Sequence, residues 1–193
     1  MLKLTFKRSL VAAFAWAAAG TVAAAQPPAD LGRRLVEGYI APATARLEAS
    51  ARGLGQTLQT WCAKPDAAGA QQVRGQFAEL VQAWSGVEFL RFGPLVQDNR
   101  FERIFFWPDP RGIVLRQVQG LLAGQAAADA RELAGRSVAV QGLPALEYVL
   151  YGDDGLLARP GGEGFASACA YAVAVTRNVA RVGGELARAW APG

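Results

Sequence analysis

The chain has 193 residues, 52% of them hydrophobic, with 20 basic and 16 acidic side chains, two cysteines and no histidine. Three basic residues (Lys3, Lys7 and Arg8) and no acidic ones fall in the first 25 positions, so the remainder carries 17 basic against 16 acidic groups, a formal +1. That balance gives no electrostatic case for a nucleic-acid or anionic-membrane partner, and the missing histidine excludes catalysis by an imidazole base.

The N-terminus places those three cations ahead of an apolar run from Leu10 to Ala19, followed by the small residues Ala23, Ala24 and Ala25. This is the pattern of a secretory signal peptide cleaved after Ala25. The apolar run is shorter than the roughly 20 residues a spanning helix needs. Export to the periplasm or cell envelope is therefore expected, with no membrane span in the mature chain. No cysteine stands at the cleavage position to carry a lipid anchor. Residues 26–193 are enough for one domain with a proper core, and no linker, charge block or internal repeat divides them.

From Asp30, a suitable N-cap, Leu31, Leu35, Val36 and Tyr39, then Leu47, Leu54, Leu58 and Trp61, recur at helical spacing. Pro42 should bend or restart this helix near Ala41, because it lacks a backbone donor and crowds the preceding turn. Lys64-Pro65-Asp66 ends it. A second helix is predicted from about Ala67 to Leu90, with Val73, Phe77, Leu80, Val81, Trp84, Val87 and Phe89 on its apolar face, until Gly93-Pro94 breaks it. The stretch FERIFFWPDPRG reads as a short helix entering a rigid loop, since Pro108 and Pro110 forbid a continuing helix. Its aromatics, Phe101, Phe105, Phe106 and Trp107, read as core, with a ligand platform as the alternative; Arg103 and Arg111 read as structural salt-bridge partners fixing the Asp109 loop, with Arg103 a secondary candidate for holding an anionic group.

Shorter helices are predicted at about Ile113–Leu122 and Ala126–Leu133, and another begins near Pro144. The last runs from about Gly164 to Trp190, with apolar positions three and four apart. Strand-like alternation is confined to RSVAVQ. The class is all-α, and short connections favour an antiparallel helical bundle.

Cys62 and Cys169 lie near the end of the first long helix and the start of the last. An even count in an exported chain favours a disulfide, with two buried cysteines that never meet as the alternative. Neither has the CxxC or histidine company of a metal site.

The most distinctive segment is VAVQGLPALEYVLYGDD, Val138 to Asp154. Periodicity is satisfied by a bland reading: a loop, a proline at the helix start, a short core helix, and Glu147 on its surface. The segment also resembles the signature of the imelysin-like family, whose GxHxxE appears here as Gly142-Leu143-Pro144-Ala145-Leu146-Glu147. Trp61-Cys62, RFGPL from Arg91, RIFFWPDPRG from Arg103 and CAYAVAVTRNVA from Cys169 are similar to further stretches of that family. The resemblance thus covers essentially the whole mature chain.

That family is historically classed with metallopeptidases and is linked to iron uptake in the cell envelope. It is built from two helical bundles with the motif near their junction. The resemblance implies that this chain corresponds to the first bundle, that Gly142 and Glu147 carry the motif's binding role, and that iron, an iron chelate or other envelope iron-uptake proteins are its partners. The departure is Pro144 in place of the family's histidine.

A His/Glu pair three apart puts two ligands on one helix face; proline offers none. The remaining donors are carboxylates: Glu147 with Asp153 and Asp154, and, farther off, Glu88, Asp98, Glu102 and Asp109. Oxygen donors suit hard cations such as ferric iron, whereas a zinc hydrolase needs nitrogen or sulfur ligands. There is no GxSxG or P-loop sequence, and Ser137 and Ser167 have no base. The expectation is a non-catalytic envelope binding protein, against two alternatives: an imelysin-type metallopeptidase, and a bundle that has lost its site.

Overall fold

A computed structural model describes residues 27–124 and 130–191; the segment expected to be a signal peptide and the start of the helix expected from Ala126 lie outside them. Eight α-helices occur among the described residues, and no strand does.

The first helix, α1 (Leu31–Leu35), runs into a π-helical turn, Val36–Ile40, and then into α2 (Ala41–Ala63). The widened turn accommodates Pro42, which cannot donate to the carbonyl four residues back. The Ala41 N–H bonds to the Val36 carbonyl, and the backbone stays in the right-handed helical region at Leu35, Val36 and Ala41. Asp30 occupies the N-cap position but makes no cap hydrogen bond, because its carboxylate is taken by Arg33 and Arg34.

The capping role expected of a polar residue is filled at α3 (Ala67–Ser85), where the Asp66 carboxylate accepts from the Gly69 N–H at 2.6 Å. The helix stops at Gly86 and not at Leu90. Val87 and Leu90 still reach the core through the irregular turns that follow.

Short helix α4 (Arg100–Ile104) leads into the Pro-rich loop and α5 (Ile113–Ala123). Two consecutive left-handed residues, Asp98 and Asn99, precede α4, and both are types that tolerate that conformation. After α6 (Ala130–Ala134), the RSVAVQ stretch forms a 3-10 turn at Val138–Val140, not a strand. Then come α7 (Leu143–Tyr151) and the long α8 (Phe165–Ala189).

The bundle is organised around α2 and α8, which make the most extensive helix pairing. Leu47, Ala51, Leu54, Leu58 and Trp61 form the buried stripe of α2, and Ala172, Val175, Val179, Val182 and Leu186 that of α8. Both stripes repeat at alternating three and four residues, the period of a helix seam. The pairing is antiparallel and its register can be read at three points. Cys62 forms a disulfide with Cys169, Gly55 meets Thr176, and Glu48 meets Gly183. Position falls by seven on α2 as it rises by seven on α8, so contact recurs every two turns.

Small residues permit the closeness. A Cβ at Gly55 would lie 2.8 Å from Thr176 Oγ1, and one at Gly183 would lie 3.0 Å from the backbone N of Glu48. The aromatic group splits: Phe101 is buried, Phe105 and Phe106 are half-buried, and Trp107 is 67% exposed. Trp107 follows the end of α4, in the irregular chain that leads into Pro108, so helical spacing no longer governs it.

Candidate functional site

The segment 138–154 is held from below by the last helix. Tyr171, fully buried on α8, donates its hydroxyl to the Val140 carbonyl at 2.7 Å. Burial pushes its phenol well above the ordinary range. Asn178, seven residues further along α8, donates Nδ2 to the Gln141 carbonyl at 3.2 Å. Gln141 is itself buried and donates Nε2 to the Arg136 carbonyl at 2.6 Å.

The network continues outward. Arg181 donates to Asn178 Oδ1 at 2.9 Å and pairs with Glu185, which also binds Arg100 Nε at 3.0 Å. Arg100 in turn holds the Pro94 carbonyl and Asp98. A buried polar chain of this kind orients the loop because each member left unpaired costs desolvation.

Gly142 caps the start of α7 at φ −125°, a conformation open to any residue. The need for glycine is steric. A Cβ there would stand 2.2 Å from the Ile104 carbonyl oxygen and 2.8 Å from that of Arg103. The end of α4 thus lies directly against the motif glycine. Pro144 sits in the first turn of α7, where no intrahelical donor is needed.

Leu143, Ala145, Leu146, Val149 and Leu150 bury one side of the helix, while Glu147 faces solvent with no hydrogen bond or ion pair among the described residues. It lies close enough to Tyr151 that its charge, behind burial, raises that phenol, opposed by Arg74.

The other carboxylates are dispersed. Asp153 is exposed, and Asp154 pairs with Arg159 at 2.8 Å on the surface. Glu88 is half-buried in the turns after α3, and Glu102 is exposed on α4. Asp109 acts structurally: its carboxylate accepts from the Ile113 and Val114 N–H groups at 2.8 and 2.9 Å, capping α5. The bond from Ile113, followed by that from Val114, lowers its pKa against partial desolvation, and Arg116 adds to the effect. Backbone amides, that of Arg111 among them, hold this loop, and not the guanidinium groups of Arg103 or Arg111; Arg103 is half-buried with no ion pair among the described residues.

No three of His, Cys, Asp or Glu come together as a cation site among the described residues. The zinc that a metallopeptidase reading implies does not fit this donor set. Both cysteines are in the disulfide, and the residue at the motif's histidine position has no side-chain donor.

Comparison with known proteins agrees with the architecture. The family model described as imelysin matches residues 37–193. A crystal structure of an imelysin-like protein from Psychrobacter arcticum 273-4 is similar at a TM-score of 0.74 and 29% identity, over 82% of this chain and 48% of that one. The chain therefore spans about half the length of that solved relative. No curated protein matches it.

Proposed function

Because the chain belongs to the imelysin family, we propose that it is an exported binding protein of the bacterial cell envelope that serves iron acquisition and has no hydrolytic activity of its own. One observation carries the reading. The motif helix offers Pro144 where the family has histidine, and its remaining donor, Glu147, stands exposed and belongs to no group of three candidate ligands among the described residues. Activating water on zinc takes about three protein ligands and an open position. The motif retains a shaped, rigid surface: Gly142 locked against α4, and a loop tied to α8 by Tyr171 and Asn178.

Export is supported by the N-terminal segment and by a disulfide suited to an oxidising compartment. Iron is cargo in this reading, met as a chelate or through another envelope iron-uptake protein at the face of α7 that carries Gly142 to Glu147. Two measurements test it. A strain lacking the gene should grow poorly under iron starvation and recover with added iron; equal growth of mutant and parent would remove the iron role. Purified protein supplied with zinc should cleave nothing in a peptide panel. Cleavage abolished by Glu147→Ala would establish the metallopeptidase instead.

A further inference from the structure

A groove of about 430 Å³ runs along the α2–α8 seam, away from the motif residues. Its floor is Ala51 and Gly55 from α2 with Ala180 and Gly184 from α8. Small side chains on both helices are what keep it open. Its walls are cationic. Arg52 stands on α2 and Arg177, Arg181 and Arg188 on α8, against a single acid, Glu48. Positions 177, 181 and 188 are four and seven apart and share one helix face. From Arg177 to Arg188 the stripe extends about 16 Å at 1.5 Å per residue.

Arg177 and Arg188 have no ion pair or hydrogen bond among the described residues; Arg46 on α2 and Arg74 on α3 likewise lack an ion pair, but Arg177 and Arg188 line one groove together, on the same face of α8. The one acid is already engaged: Glu48 is bonded to Arg52 and lies against α8, where a Cβ at Gly184 would be 3.0 Å from its carboxylate. Arg181 is fixed in place by Asn178 and Glu185, which take its two terminal nitrogens, and its Nε–H is buried. Arg52 and Arg181 are thus offset by Glu48 and Glu185, and the charge left open to the groove is that of Arg177 and Arg188. A ligand with acceptor oxygens would pair with both.

We propose that this groove binds a compact polyanion, a small molecule with two or more carboxylate or phosphate groups, gripped by Arg177 and Arg188, with the ion-paired Arg181 and Arg52 lining its walls. Guanidinium forks bind such groups bidentately, and two forks along one face of α8 select for multiple charges over one. Gln56 and Gln59, also lining the groove, add neutral donors. The site is independent of the iron reading, since it uses iron-free ligand and none of the residues of α7.

The test is calorimetric titration of the exported protein at low salt with iron-free citrate, with pyrophosphate and with acetate. The same titrations are run on Arg177→Gln/Arg188→Gln and on Glu147→Ala. Both arginines are exposed, so the double variant should melt like the parent. The expected result is saturable binding of citrate or pyrophosphate at one site, weakened at least tenfold in the double variant and unchanged in Glu147→Ala, with no binding of acetate. The stronger of the two ligands identifies a carboxylate or a phosphate source. Absence of binding by both polyanions, equal affinity in the double variant, or acetate binding as well as citrate would each overturn the proposal.

Discussion

At the residue scale, the two ends of the family motif have different jobs. Gly142 is held by contact with backbone atoms, which cannot move aside as a flexible side chain can. Gly142→Ala should therefore destabilise the fold by about 3 kcal/mol, the upper part of the usual overpacking range. Glu147→Ala should leave stability within about 0.5 kcal/mol, because the side chain is exposed and unpaired. Urea unfolding of the two variants checks this, and equal midpoints would contradict the steric account. Tyr171→Phe removes a buried donor from the Val140 carbonyl and should cost about 1–2 kcal/mol by the same measurement. Nothing in the apolar stripe of α8 marks Tyr171 and Asn178 as functional. Yet they occur seven apart on the same side as Val175 and Val182. A polar residue at a core-periodic position needs a partner, and that was the available signal for the loop they hold.

At the element scale, helix ends are decided by specific groups. The α5 terminus depends on Asp109, whose pKa is lowered in the fold by the Ile113 and Val114 amides. A depressed carboxylate stabilises the folded state above its unfolded pKa of about 3.9, and that contribution disappears as pH falls through the folded value. Asp109→Ala should thus melt at a lower temperature than the parent near neutral pH. The gap should narrow progressively below about pH 4. A gap that persists undiminished in acid would point to lost packing and not to the charged cap.

The α2–α8 pair is tied by Cys62–Cys169, closing a sequence separation of 107. Reduction should lower stability by about 4 kcal/mol through the unfolded chain's regained freedom. Unmoved denaturant midpoints in reductant would refute that estimate. The start of α2 at Ala41 and the span of α5 were legible from Pro42 and from apolar spacing. The end of α3 was not: Val87 and Leu90 continue the helical period in sequence, yet they reach the core from turns. Periodicity reports which residues are buried, not which backbone conformation buries them.

At the scale of the whole molecule, an all-α bundle of the imelysin family follows from helical stripes and from family stretches spread along the chain. Mass spectrometry of the exported protein should find an N-terminus at Gln26, as the proposed signal cleavage requires; an intact Met1 in the envelope fraction would reject that cleavage. No helix among the described residues is long and apolar enough to cross a membrane.

Helix class, the positions of the long helices and the loss of the motif's histidine are properties of composition and local spacing, which reach a few turns along a chain and no further. The placement of Gly142 against Ile104, the meeting of Cys62 with Cys169, the exposure of Trp107 and the gathering of Arg52 with the arginines of α8 join residues distant in sequence. Those depend on how α2 and α8 interlock, and the register of that contact is set by the shapes of small side chains on both helices at once.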